Sequence, residues 1–322
     1  MKKINVLVLT AGGAPALGII NYLKRQKDLP VYIFAADNDS YAAGFFFADE
    51  KLLIPNFRAP NFISTLLSLC VKKNIQFIFP PSLVRNEGTD LLSKSSKRFL
   101  DKGIKIFVIN ESSLKCITNK KEMAKVCKIN NIPLPRIYPD PTKISLNNFP
   151  IFVKPTMGGG GIDTTLIKTS QELKTYLGKE KDYIFQEYIQ LPEYTIDFLA
   201  DFEGRFISAV PRLRQLIKNG QSVQGKTVFD QELVRFTKRI CEVFKIDGPG
   251  NIQVFKDEKR SNIYLIEINP KFGSSSCLTF ESGFNIPLLC IKLAMGLKIQ
   301  DIDLKYRELS MVRYLSSIYF EN

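Results

Sequence analysis

The regular alternation of β-type and helical segments in the first third of the chain is the strongest constraint on its fold. Apolar runs rich in β-branched residues recur at 6–10, 31–37, 75–81 and 104–110, and amphipathic helical patterns separate them. Strands separated by helices predict βαβ units, because a parallel connection has to cross the sheet. We therefore expect an α/β domain with an open parallel sheet, whose ligands lie at the carboxyl ends of the strands.

The sequence changes character after about residue 111. A helical segment is followed by strands joined through short Gly, Asp and Asn turns, which predicts a mainly antiparallel α+β domain. We place the first domain at 1–111, a second domain at 112–302 and a C-terminal tail at 303–322. The second domain is expected to divide into subdomains at 112–185 and 186–302.

The absence of histidine removes several kinds of chemistry. None of the 322 residues is a histidine, which excludes Ser-His-Asp and Cys-His nucleophilic catalysis and leaves acid–base work to carboxylates and lysines. The six cysteines form no Cys-x-x-Cys pair, so neither a zinc site nor a disulfide framework is expected.

Charge and hydropathy bear on the partners and the location. The net charge of +13 would suit a nucleic-acid partner, but the lysines are scattered and form no basic stripe. A lysine-rich surface with one polyphosphate-binding cleft explains the charge more simply. No apolar run approaches the roughly 20 residues needed to cross a bilayer, and the apolar N-terminal run leads directly into a Gly-rich turn. We expect a cytoplasmic protein that binds neither nucleic acid nor membranes.

Two neighbouring strands near residues 250–257 and 262–271 carry candidate metal ligands. Residues two apart share a strand face, so Glu267 and Asn269 are expected to point the same way, with Leu265 on the same face. Ile266 and Ile268 are expected on the opposite face. Antiparallel pairing would bring Gln253 of the first strand to the same point. One carboxylate and two amide oxygens, with room for phosphates, suit Mg²⁺. The alternative is an edge hairpin with solvated polar residues.

A lysine followed by a glycine run is the second constellation. Lys154 ends an apolar strand, and Gly158, Gly159, Gly160 and Gly161 follow it. Consecutive glycines let backbone N–H groups approach phosphates closely, and Lys154 can pair with an α- or β-phosphate as a point charge. No Gly-Lys-Ser/Thr follows, so this is not a Walker A loop. The alternative is a flexible hairpin turn.

The third constellation is an apolar strand that ends in Glu187, Tyr188 and Ile189, with Glu193 a few residues beyond. Such a segment can present backbone groups to an adenine edge and a carboxylate to ribose hydroxyls. A solvated strand–loop–strand would have the same sequence, and this signal is weak by itself.

Taken together and in this order, the three constellations resemble the ATP-grasp superfamily. The similarity is closest to the large subunit of carbamoyl-phosphate synthetase and more distant to biotin carboxylase and the carboxylate–amine ligases, and it covers nearly the whole chain. The resemblance implies an α/β N-terminal pre-ATP-grasp domain with a Rossmann-like open sheet. An α+β ATP-grasp domain of two subdomains would follow from about residue 112.

The resemblance also implies roles for individual residues. Lys120 (or its neighbour Lys121), Lys154 and the four glycines would contact the ATP phosphates, Glu187–Ile189 would line the adenine, and Glu193 would bind ribose. Gln253, Glu267 and Asn269 would hold Mg²⁺ (or Mn²⁺). Lys271 and Arg212 are the expected catalytic residues, with Arg214 on the same strand face as Arg212. Carbamoyl-phosphate synthetase has an arginine at the position of Lys271, so the bidentate fork is lost here while the charge is kept.

The activity implied by the resemblance is an ATP-dependent ligation. ATP would convert a carboxylate into an acylphosphate, and an amine or a similar nucleophile would then displace phosphate. The expected partners are therefore a small carboxylate and a small amine, and a homodimer is the expected assembly. The segment around 222–227 is expected to form a mobile loop on the acceptor side.

Two alternatives stay open at this point. Gly12 and Gly13 after the first strand, with Asp37 further on, are similar to an NAD(P)-binding fingerprint, although the pattern up to Gly18 lacks its middle glycine. The other alternative is a non-catalytic ATP-binding subunit, against which the filled phosphate and metal positions argue.

Overall fold

A parallel sheet forms the N-terminal third of the chain. The computed structural model describes residues 3–27, 29–81, 87–159, 161, 163–298 and 304–321. Within these ranges five strands pair in the order β3-β2-β1-β4-β5, and every pairing is parallel. The strands are β1 (Ile4–Leu9), β2 (Val31–Asp37), β3 (Glu50–Leu53), β4 (Phe77–Phe79) and β5 (Lys105–Ile106); the helices are α1 (Ala14–Arg25), α2 (Phe62–Lys72) and α3 (Glu87–Leu100).

The predicted alternation and parallel pairing are confirmed, with two differences. The strand expected at 104–110 is reduced to Lys105–Ile106, because the backbone N–H of Phe107 is the last to donate to β4. The short strand Glu50–Leu53 was not predicted; with one buried residue in four, it lacks the apolar run that marked the others.

A four-stranded antiparallel sheet follows, in the order β6-β9-β7-β8. Its small core contains Ile151, Val153 and Phe185. Two helices lead into it, and Asn119 lies between them as the N-cap of the second. The elements are α4 (Glu111–Thr118), α5 (Lys120–Ile129), β6 (Ile137–Tyr138), β7 (Ile151–Pro155), β8 (Thr165–Ile167), α6 (Ser170–Leu173) and β9 (Tyr183–Glu187).

The third sheet has six described strands in the order β14-β13-β10-β11-β12-β15, all antiparallel. Helix α7 packs across β10 and β11, with Leu233 and Ile240 in the shared core. The elements are β10 (Glu193–Ala200), β11 (Phe206–Lys218), β12 (Gln221–Thr227), α7 (Gln231–Val243), β13 (Pro249–Asp257), β14 (Asn262–Asn269), α8 (Cys277–Ser282), α9 (Ile286–Ala294) and β15 (Ser310–Val312).

The expectation of a mobile loop at 222–227 was wrong. These residues belong to β12, which pairs with both β11 and β15. Asn219 and Gly220 have φ values of 49° and 72°, as a two-residue type I′ hairpin turn requires, so they reverse the chain directly. The strand β15 lies in the segment that was expected to be a tail, and it forms the edge of this sheet.

One hydrophobic core joins the N-terminal sheet to the third sheet. Val8 and Ile19 of the first domain share this core with Val210 of β11 and with Phe280 and Ile291 of the C-terminal helices. Apolar burial therefore fixes the parallel sheet against the part of the chain that follows β14. Within the described ranges, no helix is both long enough and apolar enough to span a bilayer.

The close packing around Gly250 allows the position of β13 to be tested by substitution. A Cβ built on Gly250 would lie 2.6 Å from Cζ of Phe198 and 2.8 Å from the carbonyl oxygen of Asn269. We predict that Gly250→Ala lowers the free energy of unfolding by about 1–3 kcal/mol through overpacking. Urea denaturation followed by circular dichroism measures this loss.

The matched control is Gly18→Ala in α1, where the added Cβ would meet its nearest neighbour at an ordinary 3.5 Å. It should leave the stability unchanged or raise it slightly, because alanine has the higher helix propensity. Equal losses in the two variants would contradict the close approach at Gly250.

Candidate active site

A cleft of about 300 Å³ lies between the four-stranded and six-stranded sheets. It collects residues from six elements, from the glycine loop that follows β7 and from the turn after β11, so residues more than 140 positions apart in sequence meet there. Its lining contains three basic residues and two carboxylates among glycines, apolar residues and uncharged polar residues: Lys120, Phe152, Lys154, Pro155, Met157, Gly158, Gly159, Gly161, Thr164, Glu193, Arg214, Ile217, Gly220, Gln253, Phe255, Ile266 and Glu267.

Helix α5 begins with two adjacent lysines, of which Lys120 points into the cleft and Lys121 points away from it. The Asn119 side chain accepts hydrogen bonds from the N–H groups of Lys121 and Glu122, which starts the helix at Lys120. The Nζ of Lys120 donates to the carbonyl oxygens of Pro155 (3.0 Å) and Gly158 (2.9 Å) at the cleft. The Nζ of Lys121 instead donates to the carbonyl of Lys181, at 3.1 Å, on the other side of the helix. Lys120 is therefore the lysine that faces the cleft.

The cleft holds more positive charge than its acidic residues balance. Burial lowers the pKa of the Lys154 ammonium; Glu267 and Glu193 oppose this shift, while neighbouring Lys120 adds to it. Burial likewise lowers the pKa of Lys120 and of Lys271, and Glu267 opposes the shift in both. Glu267 thus acts on all three partly desolvated ammonium groups, and Glu193 acts on one of them. A polyanion bound here would stabilise their charged forms.

The glycine loop needs glycine at two described positions. Gly158 and Gly161 have φ values of 107° and 73°, which side-chain-bearing residues rarely adopt. Gly159 lies over the third sheet, and a Cβ on it would come 3.7 Å from Oδ1 of Asn269. Gly160 lies outside the described residues. The loop backbone therefore approaches the end of β14 with no side chain between them.

The candidate metal ligands meet as the antiparallel pairing predicts. Gln253 lies opposite Glu267, and Asn251 lies opposite Asn269. The Nδ2 of Asn269 donates to Oε1 of Glu267 (2.8 Å) and to Oδ1 of Asn251 (3.2 Å), so its Oδ1 is left to face the glycine loop. Only oxygen donors are offered, and only one of them is charged. This set fits Mg²⁺ in the presence of phosphate oxygens.

The expected positions of Leu265 and Ile266 were wrong. Leu265 is fully buried in the core under the sheet, and Ile266 lines the cleft beside Glu267. The register shifts between Gln253 and Val254, so Val254 pairs with Leu265 and leaves Ile266 as an extra residue. A β-bulge of this kind reverses the alternation of faces on one side of it.

The residues expected at the adenine lie beside the cleft and outside its lining. Glu187 is held by the backbone of Arg136, which donates to its Oε1 and accepts from its N–H, both at 2.8 Å. The ring of Tyr188 stacks near Phe152 with the centroids 6.3 Å apart, and Phe152 lines the cleft. The segment from Glu187 to Glu193 thus connects the four-stranded sheet to the six-stranded sheet. Phe152 and Ile217 add an apolar lining that the sequence motifs did not reveal, and Phe255 lines the cleft with them.

Glu193 and Arg214 form an ion pair within the cleft. The Nη1 of Arg214 donates to Oε1 of Glu193, and it also lies 3.4 Å from Oε1 of Gln253. The side chains are 7% and 20% exposed, for arginine and carboxylate respectively. Burial raises the pKa of Glu193, and Arg214 acts in the opposite direction.

Arg212, an expected catalytic residue, lies behind the cleft. Its side chain is 2% exposed, and Asp197 beneath it is 1% exposed. The guanidinium donates through Nε and Nη2 to the two oxygens of Asp197, at 2.8 and 3.0 Å, and through Nη1 to Oγ of Ser275. Asp197 also accepts from Ser276 and Thr279. The pair therefore anchors the segment between β14 and α8.

Lys271 follows β14, with Pro270 between them. Its carbonyl oxygen accepts a hydrogen bond from Nδ2 of Asn251 at 2.8 Å. Burial lowers the pKa of its ammonium, and Glu267 acts in the opposite direction. Lys271 does not belong to the described lining of the cleft, and its link to Lys120 and Lys154 is the shared influence of Glu267.

Among the described residues, the turn after β1 is filled by contacts within the protein, which leaves no open site for a dinucleotide there. The N–H of Gly12 donates to Oδ2 of Asp37 at 2.9 Å, so this carboxylate is already used within the protein. A Cβ on Gly44 would lie 2.5 Å from the carbonyl of Ala11, which shows that residues 43–46 pack directly on the turn.

Comparisons with known proteins agree with this architecture. Residues 179–316 match the family model described as "ATP-grasp in the biosynthetic pathway with Ter operon", and residues 6–107 match the "PylC-like, N-terminal domain". The chain is 24% identical over 225 residues to the carbamoyl phosphate synthase large chain of Thermoanaerobacter sp. (strain X514), covering 63% of this chain and 21% of that one.

A second relative is the L-arginine-specific L-amino acid ligase of Bacillus subtilis. It is 26% identical over 197 residues, covering 53% of this chain and 48% of the ligase. The chain thus spans about a fifth to a half of the length of these relatives. Among solved structures, a biotin carboxylase complex with β-γ-ATP from Campylobacter jejuni has a TM-score of 0.71 at 17% identity, covering 92% of this chain and 72% of that one. This likeness shows a shared fold.

The burial of Arg212 leads to a prediction about its role. We expect Arg212→Met to lower the free energy of unfolding by about 3–5 kcal/mol, because it leaves the carboxylate of Asp197 buried without its main counter-charge. Chemical denaturation measures the loss. Arg25→Met, which breaks the exposed pair with Glu281, is the control and should change the stability by less than about 0.5 kcal/mol. A well-folded Arg212→Met protein with wild-type stability and no turnover would instead assign Arg212 to the chemistry.

Proposed function

We propose that this chain, a member of the ATP-grasp superfamily, is a Mg-ATP-dependent ligase that activates a carboxylate as an acylphosphate and joins it to an amine or a similar nucleophile. The observation that carries the proposal is the convergence of Lys120, Lys154, the glycine loop and the oxygen donors of β13 and β14 on one cleft. The L-amino acid ligase among the relatives supports the carboxylate–amine class of reaction.

The triphosphate would be bound by charge and by backbone groups. Lys120 and Lys154 would pair with phosphate oxygens, and the N–H groups of Gly158, Gly159 and Gly161 would lie along them. The negative charge of a bound phosphate would raise the lysine pKa values again and so offset the effect of their burial. The nucleoside would extend towards Phe152 and the segment Glu187–Ile189, with Glu193 at the ribose.

Glu267, Asn269 and Gln253 would hold Mg²⁺ (or Mn²⁺). The metal would supply charge neutralisation on the phosphate oxygens. The bulge at Ile266 and the hydrogen bond from Asn269 to Glu267 fix the directions of the two β14 ligands. Lys271 would lie on the acceptor side of the transferred phosphoryl group, where its ammonium would offset developing charge.

The reaction would consist of two displacements. A carboxylate oxygen of the first substrate attacks the γ-phosphorus, an O–P bond forms, and the bond to the bridging oxygen breaks to release ADP. The amine nitrogen then attacks the acyl carbon, the bond from that carbon to the phosphate oxygen breaks to release phosphate, and the nitrogen loses a proton, which the released phosphate can accept. Catalysis by positioning and charge neutralisation suits a protein without histidine.

We infer the domain limits as 1–111, with a Rossmann-like open sheet, and 112–302, divided at 185, with 303–322 as a terminal segment. The strand order β3-β2-β1-β4-β5 supports the first assignment. The use of Asp37 by Gly12 and the packing of Gly44 on the turn argue against an NAD(P) site there. We further propose a cytoplasmic location, small-molecule substrates rather than nucleic acid, and a homodimer.

The proposal is tested by measuring ADP release with Mg-ATP across a panel of amino acids and small carboxylates, each with and without a second amine. A substrate pair that raises ADP release and yields a stoichiometric C–N product is the expected result. Failure of the protein to bind Mg-ATP in isothermal titration calorimetry would contradict the proposal. Mg-ATP binding with no turnover on any pair would favour a non-catalytic ATP-binding subunit.

Adjacent lysines provide a matched pair of variants. We predict that Lys120→Ala weakens Mg-ATP binding about 10- to 100-fold, since a hydrogen bond to a charged group contributes about 1.5–3 kcal/mol. Lys121→Ala removes the same side chain one position along and should change the binding by less than about threefold, because its ammonium points to Lys181. Calorimetry measures both, and the reverse order of effects would be inconsistent with the placement of Lys120.

Glu267→Gln tests the metal site in the same assay. The substitution removes the only carboxylate among the three donors and keeps its size, so we predict that Mg²⁺ no longer strengthens ATP binding. The affinity for ATP measured with EDTA should stay within about threefold of wild type. A Glu267→Gln protein whose Mg²⁺ dependence is unaltered would exclude Glu267 as a ligand.

A further inference from the structure

The tip of the β11–β12 hairpin is tied to the cleft by a single arginine. The Nη2 of Arg214 donates to the carbonyl oxygen of Gly220 at 2.7 Å, and its Nη1 donates to Glu193. Gly220 belongs to the type I′ turn at the tip, and Ile217 on the same hairpin lines the cleft. One guanidinium therefore connects the tip of the β11–β12 hairpin, a cleft carboxylate and, through Gln253, the strand β13.

The contact leaves one oxygen of the carboxylate available. Arg214 binds Oε1 of Glu193, and no donor to Oε2 occurs among the residues that the structure describes. Oε2 can then accept hydrogen bonds from the two adjacent hydroxyls of a ribose. The planar guanidinium donates in fixed directions, so it restricts the rotamer of Glu193 and keeps Oε2 turned to the cleft.

We propose that Arg214 is a positioning residue for ribose recognition: it orients Glu193 towards the ribose hydroxyls and holds the β11–β12 hairpin against the bound nucleoside. The inference rests on the proposed nucleotide site and adds to it the residue that sets its selectivity for ribonucleotides over deoxyribonucleotides. Arg214 acts through Glu193 and through Gly220, and it does not need to touch the phosphates.

The test compares the affinities for ATP, 2′-deoxy-ATP and 3′-deoxy-ATP in isothermal titration calorimetry. Wild-type protein is expected to bind ATP about tenfold more tightly than either deoxynucleotide, because a site that accepts a hydroxyl hydrogen bond loses it with the analogue. In Arg214→Ala the preference should fall to about twofold or less, while Arg214→Lys should restore part of it. Loss of ATP affinity without loss of the preference would overturn the proposal.

A double-mutant cycle separates positioning from a general electrostatic effect. Glu193→Gln alone should reduce the ribose preference, and adding Arg214→Ala should reduce it no further if Arg214 acts through Glu193. Additive effects on the preference would overturn the proposal. If Arg214→Ala does not fold, Arg214→Met, which keeps an unbranched side chain and removes every donor, is carried through the same cycle.

The matched control is Arg205→Ala. Arg205 forms an ion pair with Asp201 at the opposite end of the same β10–β11 pair of strands, and it lies far from the cleft lining. It should leave the ribose preference at the wild-type value. The outcome is distinguishable from a failure of the proposed function, because a protein that binds none of the three nucleotides contradicts both, whereas tight ATP binding without ribose preference contradicts only the role of Arg214.

Discussion

The pairing of β13 with β14 is the interaction on which the candidate site depends. Backbone hydrogen bonds set Gln253 opposite Glu267 and Asn251 opposite Asn269, so four polar side chains from two strands converge without any loop to position them. Gly250 keeps the start of β13 in close contact with Phe198 and with the backbone of Asn269. Since these four side chains extend from a sheet whose other face packs in the core, their backbone positions are held by that packing.

Charge accounts for what this rigid face can bind. Three ammonium groups are partly desolvated around Glu267, and burial lowers the pKa of each. Removing these ammonium groups from water costs free energy, and a bound polyphosphate with a divalent cation would offset that cost through its negative charge. Arg214 is different, because Glu193 already compensates it. The cleft thus has an uncompensated end at the lysines and a neutral, hydrogen-bonding end at the ion pair, which matches the polarity of a nucleotide from phosphate to ribose.

Much of this could be predicted from the sequence because the decisive relations are local. Residues two apart on a strand share a face, and two strands joined by a short turn pair with each other, so the meeting of Gln253 with Glu267 followed from the spacing alone. Parallel pairing in the first domain followed in the same way from strands separated by helices. The choice between Lys120 and Lys121 required the structure, although the cap at Asn119 contained the signal: it fixes which residue begins the helix.

The sequence did not reveal two kinds of feature: a β-bulge, which adds one residue to a strand, and contacts between residues that are distant in sequence. The bulge that turns Ile266 into the cleft changes no residue type, and period-two reasoning has no means of locating it. β12 has polar residues at most positions, so it lacked the apolar alternation by which the other strands were recognised. Arg212 and Arg214 share a strand face and are equivalent by spacing. They differ only because Asp197 lies beneath one and Glu193 beside the other.

The different partners of Arg212 and Arg214 also determine which neighbouring segments each arginine holds in place. Arg212 and Asp197 bind Ser275, Ser276 and Thr279, and so they fix the segment between β14 and α8. Because α8 packs on α1, the same ion pair connects the third sheet to the N-terminal domain. Arg214 instead connects Glu193 in the cleft to the exposed tip of the β11–β12 hairpin. One strand, β11, therefore makes both connections, through two arginines that are two residues apart.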